Sequence, residues 1–136
     1  MTEEPATATY CVGEPFPEVV RSLRKLLGGG NLKVSAELDL SRRIRDKLRI
    51  DTAPCVVLFV SAPAVAFETD PRALALAPLH VVISGRDLWQ TEIHTMRALP
   101  RDHGTLDAST LAALNHAQAE ISRAIEKIGM RVTLAV

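Results

Sequence analysis

One tryptophan, one tyrosine, three phenylalanines and two cysteines are the chain's whole stock of aromatic and thiol side chains, and its formal charge sums to zero. Each scarcity excludes something. Cys11 and Cys55 lie far apart in strand-like runs, which is neither a disulfide framework nor a metal-ligand spacing. As isolated thiols they read as small core hydrophobes. Sixteen basic and sixteen acidic residues cancel, so no overall field draws in nucleic acid, an anionic membrane or an acidic substrate. Nucleic acid is therefore not an expected partner, because dedicated DNA-binding domains are usually clearly positive. No apolar run approaches the roughly 20 residues that span a bilayer. The opening Met1-Thr2-Glu3-Glu4-Pro5 is acidic with no apolar run behind it, so it does not read as a signal peptide, and a cytoplasmic setting is expected. No dinucleotide fingerprint and no local Ser-His-Asp or Cys-His signature is present, so no nucleotide cofactor is implied.

What is present is the material of one α+β domain spanning residues 1–136, with 47% hydrophobic and 24% charged residues. Residues 1–5 are expected to be loose. Ala8, Tyr10 and Val12 alternate with Thr7, Thr9 and Cys11, the period of a strand over 6–12. Phe16, Val19, Val20, Leu23, Leu26 and Leu27 then recur at helical spacing as one stripe, with Pro17 suited to the first turn. Gly28-Gly29-Gly30 ends that helix. A phosphate loop precedes a helix and offers it N–H groups, whereas these glycines follow one, so a C-cap and flexible turn is expected. Leu32, Val34 and Ala36 form a second strand with one polar face. Asp39 or Ser41 can cap a helix over 40–49 with a narrow seam of Leu40, Ile44 and Leu48.

The apolar run Cys55-Val56-Val57-Leu58-Phe59-Val60 predicts a strand at the centre of the sheet, covered above and below. A short helix over 63–68 and a turn or helix from Asp70-Pro71 through Leu76 come next, then a strand over 79–84. Leu88 to His94 is expected to return as its hairpin partner. A loop occupies 97–106, followed by the longest helix, 107–129, with Asp107 as N-cap and Gly129 at its end. Residues 130–136 read as an edge strand or a tail. The expected architecture is a two-layer sandwich: a small mixed or antiparallel sheet of about five strands with helices packed on it.

Several of these features fall in a familiar order. A helix closed by glycines is followed by a strand ending in acid, Lys33-Val34-Ser35-Ala36-Glu37-Leu38-Asp39, then a helix and a fully apolar strand that breaks at Pro63. Asp70-Pro71 and Leu76-Ala77-Pro78 come before the next strand. Over about residues 8–96 the chain resembles the family called domain of unknown function 302. It departs from that pattern at Ser61-Ala62-Pro63, where the family often has Cys-Asn-Pro, and at Arg72-Ala73-Leu74, where a glycine often follows Asp-Pro. The resemblance implies a two-layer α+β fold and commonly a homodimer, and no established reaction.

Chemistry concentrates in two places. On the 79–94 hairpin, a three-residue loop at Gly85-Arg86-Asp87 sets His80 opposite Glu92. A turn centred on Asp87 sets it opposite His94 instead. Either odd-length loop puts His80, Glu92 and His94 on one face, and an even loop at Arg86-Asp87 scatters them. The odd loop is favoured because Leu79, Val81 and Ile83 then join Trp89 and Ile93 as one apolar face. Two imidazoles and a carboxylate are the ligand types of a divalent zinc or iron site, or of a proton-transfer pair. They also make an ordinary polar surface with Ser84 and Gln90. The second place is the basic face of helix 40–49, Arg42, Arg43, Arg45, Lys47 and Arg49, which suits phosphates but has no aromatic residue to stack on bases. Glu37, Asp39 and Asp51 are nearby acids that can pair with it. Three readings follow. The first is a dimeric ligand-binding or accessory domain, its interface the apolar face of the hairpin or Trp89. The second is a metal-dependent or acid–base enzyme using His80, Glu92 and His94. The third is binding of an anionic ligand or nucleic acid through the basic helix.

Overall fold

Alternating side chains build six strands, and the computed structural model, which describes residues 7–61, 79–96 and 108–132, joins them in one antiparallel sheet. In chain order these are β1 (Thr7–Val12), β2 (Lys33–Asp39), β3 (Cys55–Ser61), β4 (Leu79–Gly85), β5 (Thr91–Met96) and β6 (Met130–Val132). Their order across the sheet is β2-β3-β4-β5-β1-β6. Among the described residues three helices accompany them: α1 (Phe16–Gly28), α2 (Leu40–Leu48) and α3 (Ala108–Glu126). The expected short helix over 63–68, the segment 70–76, the loop 97–106 and the cap Asp107 lie outside the described residues.

The core forms where the inward residues of the strands meet one stripe of α1 and of α3. Tyr10, Val12, Leu58, Val60, Val81, Ile83 and Ile93 are buried against Val19, Leu23 and Leu27 of α1 and Leu114, Ile121 and Ile125 of α3. One polar contact is built into this layer, where Gln118 of α3 donates to the Thr95 hydroxyl of β5 at 2.8 Å. Of the expected edge strand or tail over 130–136, Met130 to Val132 pairs with β1 as an edge strand, and 133–136 lie outside the described residues. Gly129 admits this strand, since a Cβ there would stand 2.9 Å from Val12 Cγ2 and 3.1 Å from the Cys11 carbonyl oxygen. Its N–H closes the end of α3 on the Ile125 carbonyl.

Two expectations are corrected. β3 is second from the edge rather than central, and only Val56, Leu58 and Val60 join the main core. On its other face Val57 is buried while Cys55 and Phe59 stay half-buried, and α2 is the described helix that lies against β3. The second correction concerns the hairpin. Its loop runs through Arg86 to Gln90, and Leu88 and Trp89 stand outside the strand, 81% and 72% exposed. The Asp87 carboxylate causes this. It accepts the Trp89 and Gln90 N–H groups at 2.7 and 2.8 Å, so the chain turns on itself where a ladder would otherwise continue.

A polar cluster on the open sheet face

The five-residue loop is odd in length, so the expected parity holds while the expected partners shift. Ser84 stands opposite Glu92, and Val82 opposite His94. His80 faces Phe59 on the neighbouring strand and is exposed. It therefore shares a sheet face with Glu92 and His94 without facing either. The inward face of the same hairpin, Leu79, Val81, Ile83 and Ile93, is buried in the core and is not available to a partner.

His94 is the centre of the cluster. On its Nδ1 side the Thr9 hydroxyl of β1 lies 3.0 Å away, brought there by the direct pairing of Thr9 with His94. On its Nε2 side the Ser84 hydroxyl and the Glu92 Oε2 each lie 3.4 Å away. Arg86 Nη1 sits 3.5 Å from the other Glu92 oxygen. The ring is thus held between three strands, half-buried, with a hydroxyl on each nitrogen. Hydroxyls donate or accept, so either neutral tautomer finds partners here, and the carboxylate favours a proton on Nε2.

This arrangement differs from a nucleophile triad. There the nucleophile addresses one ring nitrogen and the orienting carboxylate the other. Here Ser84 and Glu92 address the same nitrogen. Among the described residues no group of three His, Cys, Asp or Glu side chains stands where one metal ion could be held. The geometry brings together Glu92 and His94 and leaves His80 apart. Sequence reasoning did not find Thr9 as a partner, because the β1–β5 pairing joins residues 85 positions apart and leaves no local signal.

The cations Arg42, Arg43, Arg45 and Lys47 of α2 and Arg49 at its C-cap are all exposed, and the helix buries no residue. The seam stops short of its end, since Leu48 is 65% exposed. Asp39 caps the helix by accepting Arg42 N–H at 2.9 Å and the Ser41 hydroxyl at 2.8 Å. Those hydrogen bonds, and then the charges of Arg45 and Arg42, hold its carboxyl below the ordinary 3.8. Glu37, an expected partner of the basic face, instead takes Arg24 of α1, with contacts of 2.6 and 2.7 Å. Cys55 lies at the foot of α2, its N–H donated to Ser41 Oγ at 3.2 Å. Burial first, and the Asp39 carboxylate second, push its thiol above the ordinary 9.0, which favours the protonated form at neutral pH.

Comparison with known proteins places the chain in a family. The family model described as domain of unknown function DUF302 matches residues 8–128. The chain belongs to the DUF302 family. The match extends beyond the segment through 96 that carries the sequence resemblance, and takes in α3 as part of the domain. A solved structure, the uncharacterized conserved protein DUF302 from Bacillus stearothermophilus, superimposes with a TM-score of 0.78 at 14% identity. The match covers 92% of this chain and 99% of that one. At that identity the likeness shows the DUF302 fold alone. No curated protein matches the chain. Among the described residues no helix is long and apolar enough to cross a membrane.

Proposed function

We propose that this DUF302 domain binds a small, flat, polar ligand on the open sheet face, and that it works as a binding or accessory protein rather than by turnover. The single observation that carries this reading is the fixed His94 ring, with the Thr9 and Ser84 hydroxyls as hydrogen-bonding neighbours and the Glu92 carboxylate 3.4 Å away. Half-buried Val82 and Phe59 stand on the same face as an apolar floor beside them. A few fixed polar groups beside apolar surface is the common composition of a small-molecule site. Ser84 and Glu92 share one ring nitrogen, which supports recognition over nucleophile activation.

Calorimetric titration with benzamide, a flat ring bearing one donor and one acceptor group, tests this. Saturable binding that is lost in His94→Ala and weakened in Glu92→Gln is expected. Identical heats from wild type and both variants would refute it.

We further propose that the domain forms a homodimer through the tip of the β4–β5 loop. Leu88 and Trp89 support this, as adjacent large apolar side chains that are mostly exposed. Light scattering at two protein concentrations reads the mass directly, and a monomer at both would remove the dimer.

A further inference from the structure

A concavity lies in the helical layer, and none of its lining residues belongs to β4 or β5. It measures about 450 Å³ and is formed by the end of α1, the glycine-rich turn and the last turns of α3. Cavities of this order hold small organic ligands. Its floor is apolar, built from Leu27, Leu32 and Ala124, all buried. Its rim is cationic: Lys25 from α1, with Arg123 and Lys127 four positions apart on one side of α3. The one acidic lining residue, Glu120, is engaged by His116 at 2.9 Å. None of the three cations makes an ion pair with a described residue.

Basic residues at helix ends also complement the helix dipole, which accounts for Lys25 and Arg123 without any ligand. It does not account for the glycines. A glycine after a helix is ordinarily required by a left-handed backbone, yet Gly29 sits at φ −89° and none of Gly28, Gly29 and Gly30 has a left-handed φ. A Cβ on Gly30 would meet nothing within 4 Å. Gly29 is kept small by crowding, since a Cβ there would stand 3.3 Å from the Lys25 carbonyl oxygen, but Gly30 is bare where neither a left-handed backbone nor crowding demands it, and both glycines line the cavity. The N–H groups of Gly30 and Asn31 make no hydrogen bond to a described residue, so donors remain beside the cationic rim.

We propose that this cavity binds a small organophosphate, its phosphate held by Lys25, Arg123 and Lys127 and its apolar part on Leu27, Leu32 and Ala124. The glycines keep the entrance open. Recognition here comes from side chains converging on helix C-terminal ends, unlike a phosphate loop, which works from a helix N-terminus.

Phenyl phosphate, inorganic phosphate and phenol are titrated separately into the isotope-labelled protein and followed by amide chemical shifts. Phenyl phosphate is expected to shift residues 25–32 and 120–127, and to bind more tightly than either fragment. Arg123→Glu and Lys127→Glu, both at exposed positions, should each weaken it about tenfold or more, since each removes a charge-assisted contact. Gly30→Val should weaken it by filling the entrance, with circular dichroism confirming the fold. The proposal is overturned if phenyl phosphate does not bind, shifts residues 40–49 instead, binds no better than inorganic phosphate, or ignores the two charge reversals.

Discussion

Asp39 shows how one side chain can set both a local structure and a pH dependence. Its carboxylate holds the first turn of α2, and such caps contribute about 1 kcal/mol relative to alanine. Because the folded carboxyl titrates below the ordinary 3.8, its contribution is fully present above that value and is lost as pH falls through the lowered one. Urea unfolding of wild type and Asp39→Ala should differ by about 1 kcal/mol at pH 7, with the gap closing as pH falls below 3.8. A gap independent of pH would show that the carboxylate charge is not what matters. Cys55, beside it, should react with iodoacetamide at pH 8 far more slowly in the folded protein than in urea. Equal rates would contradict a thiol held protonated by burial and by Asp39.

At the scale of elements, Gly129 and Gly28 make a matched pair of tests. Gly129→Ala drives a methyl group into Val12 and the Cys11 carbonyl, and overpacking of this kind costs about 1–3 kcal/mol. Gly28→Ala meets nothing within 4 Å at the end of α1 and should stabilise by up to about 1 kcal/mol. Thermal melts of the two variants should therefore move in opposite directions. The elements themselves were largely legible in the sequence, because strand and helix periods were clean in 7–12, 16–28 and 79–85; in β2 a register shift between Val34 and Ala36 breaks the expected alternation and leaves Ala36 exposed rather than beside Val34. The hairpin was legible only in part. Its parity followed from the apolar face of Leu79, Val81 and Ile83, which must turn inward. Its length did not, because the Asp87 carboxylate lengthens the loop by taking two backbone N–H groups. Trp89 consequently moved from the expected inner face to the exposed tip. The place of β3 in the sheet was not legible either, since a fully apolar run shows that a strand is buried without saying which strands flank it.

On the scale of the whole molecule, the DUF302 fold divides the sheet into two unlike faces. Among the described residues, one carries α1, α3 and the core; the other carries the His94 cluster beside buried Val57 and half-buried Phe59 and Val82. The residue types of the cluster could be read from the sequence, and their assembly could not, because Thr9 reaches His94 only through the β1–β5 pairing. His80 was grouped with them by parity, but register sets it opposite Phe59. If the exposed loop tip is the dimer contact, Trp89→Ala should yield a monomer by light scattering with an unchanged melting temperature. A dimer that survives the substitution would place the interface elsewhere. The binding site itself is tested most directly by mapping amide chemical shifts during a benzamide titration. The account predicts perturbations centred on Thr9, Val82, Ser84, Glu92 and His94, absent in His94→Ala. Perturbations centred on the 86–90 loop or on the cavity between α1 and α3, or none at all, would contradict it.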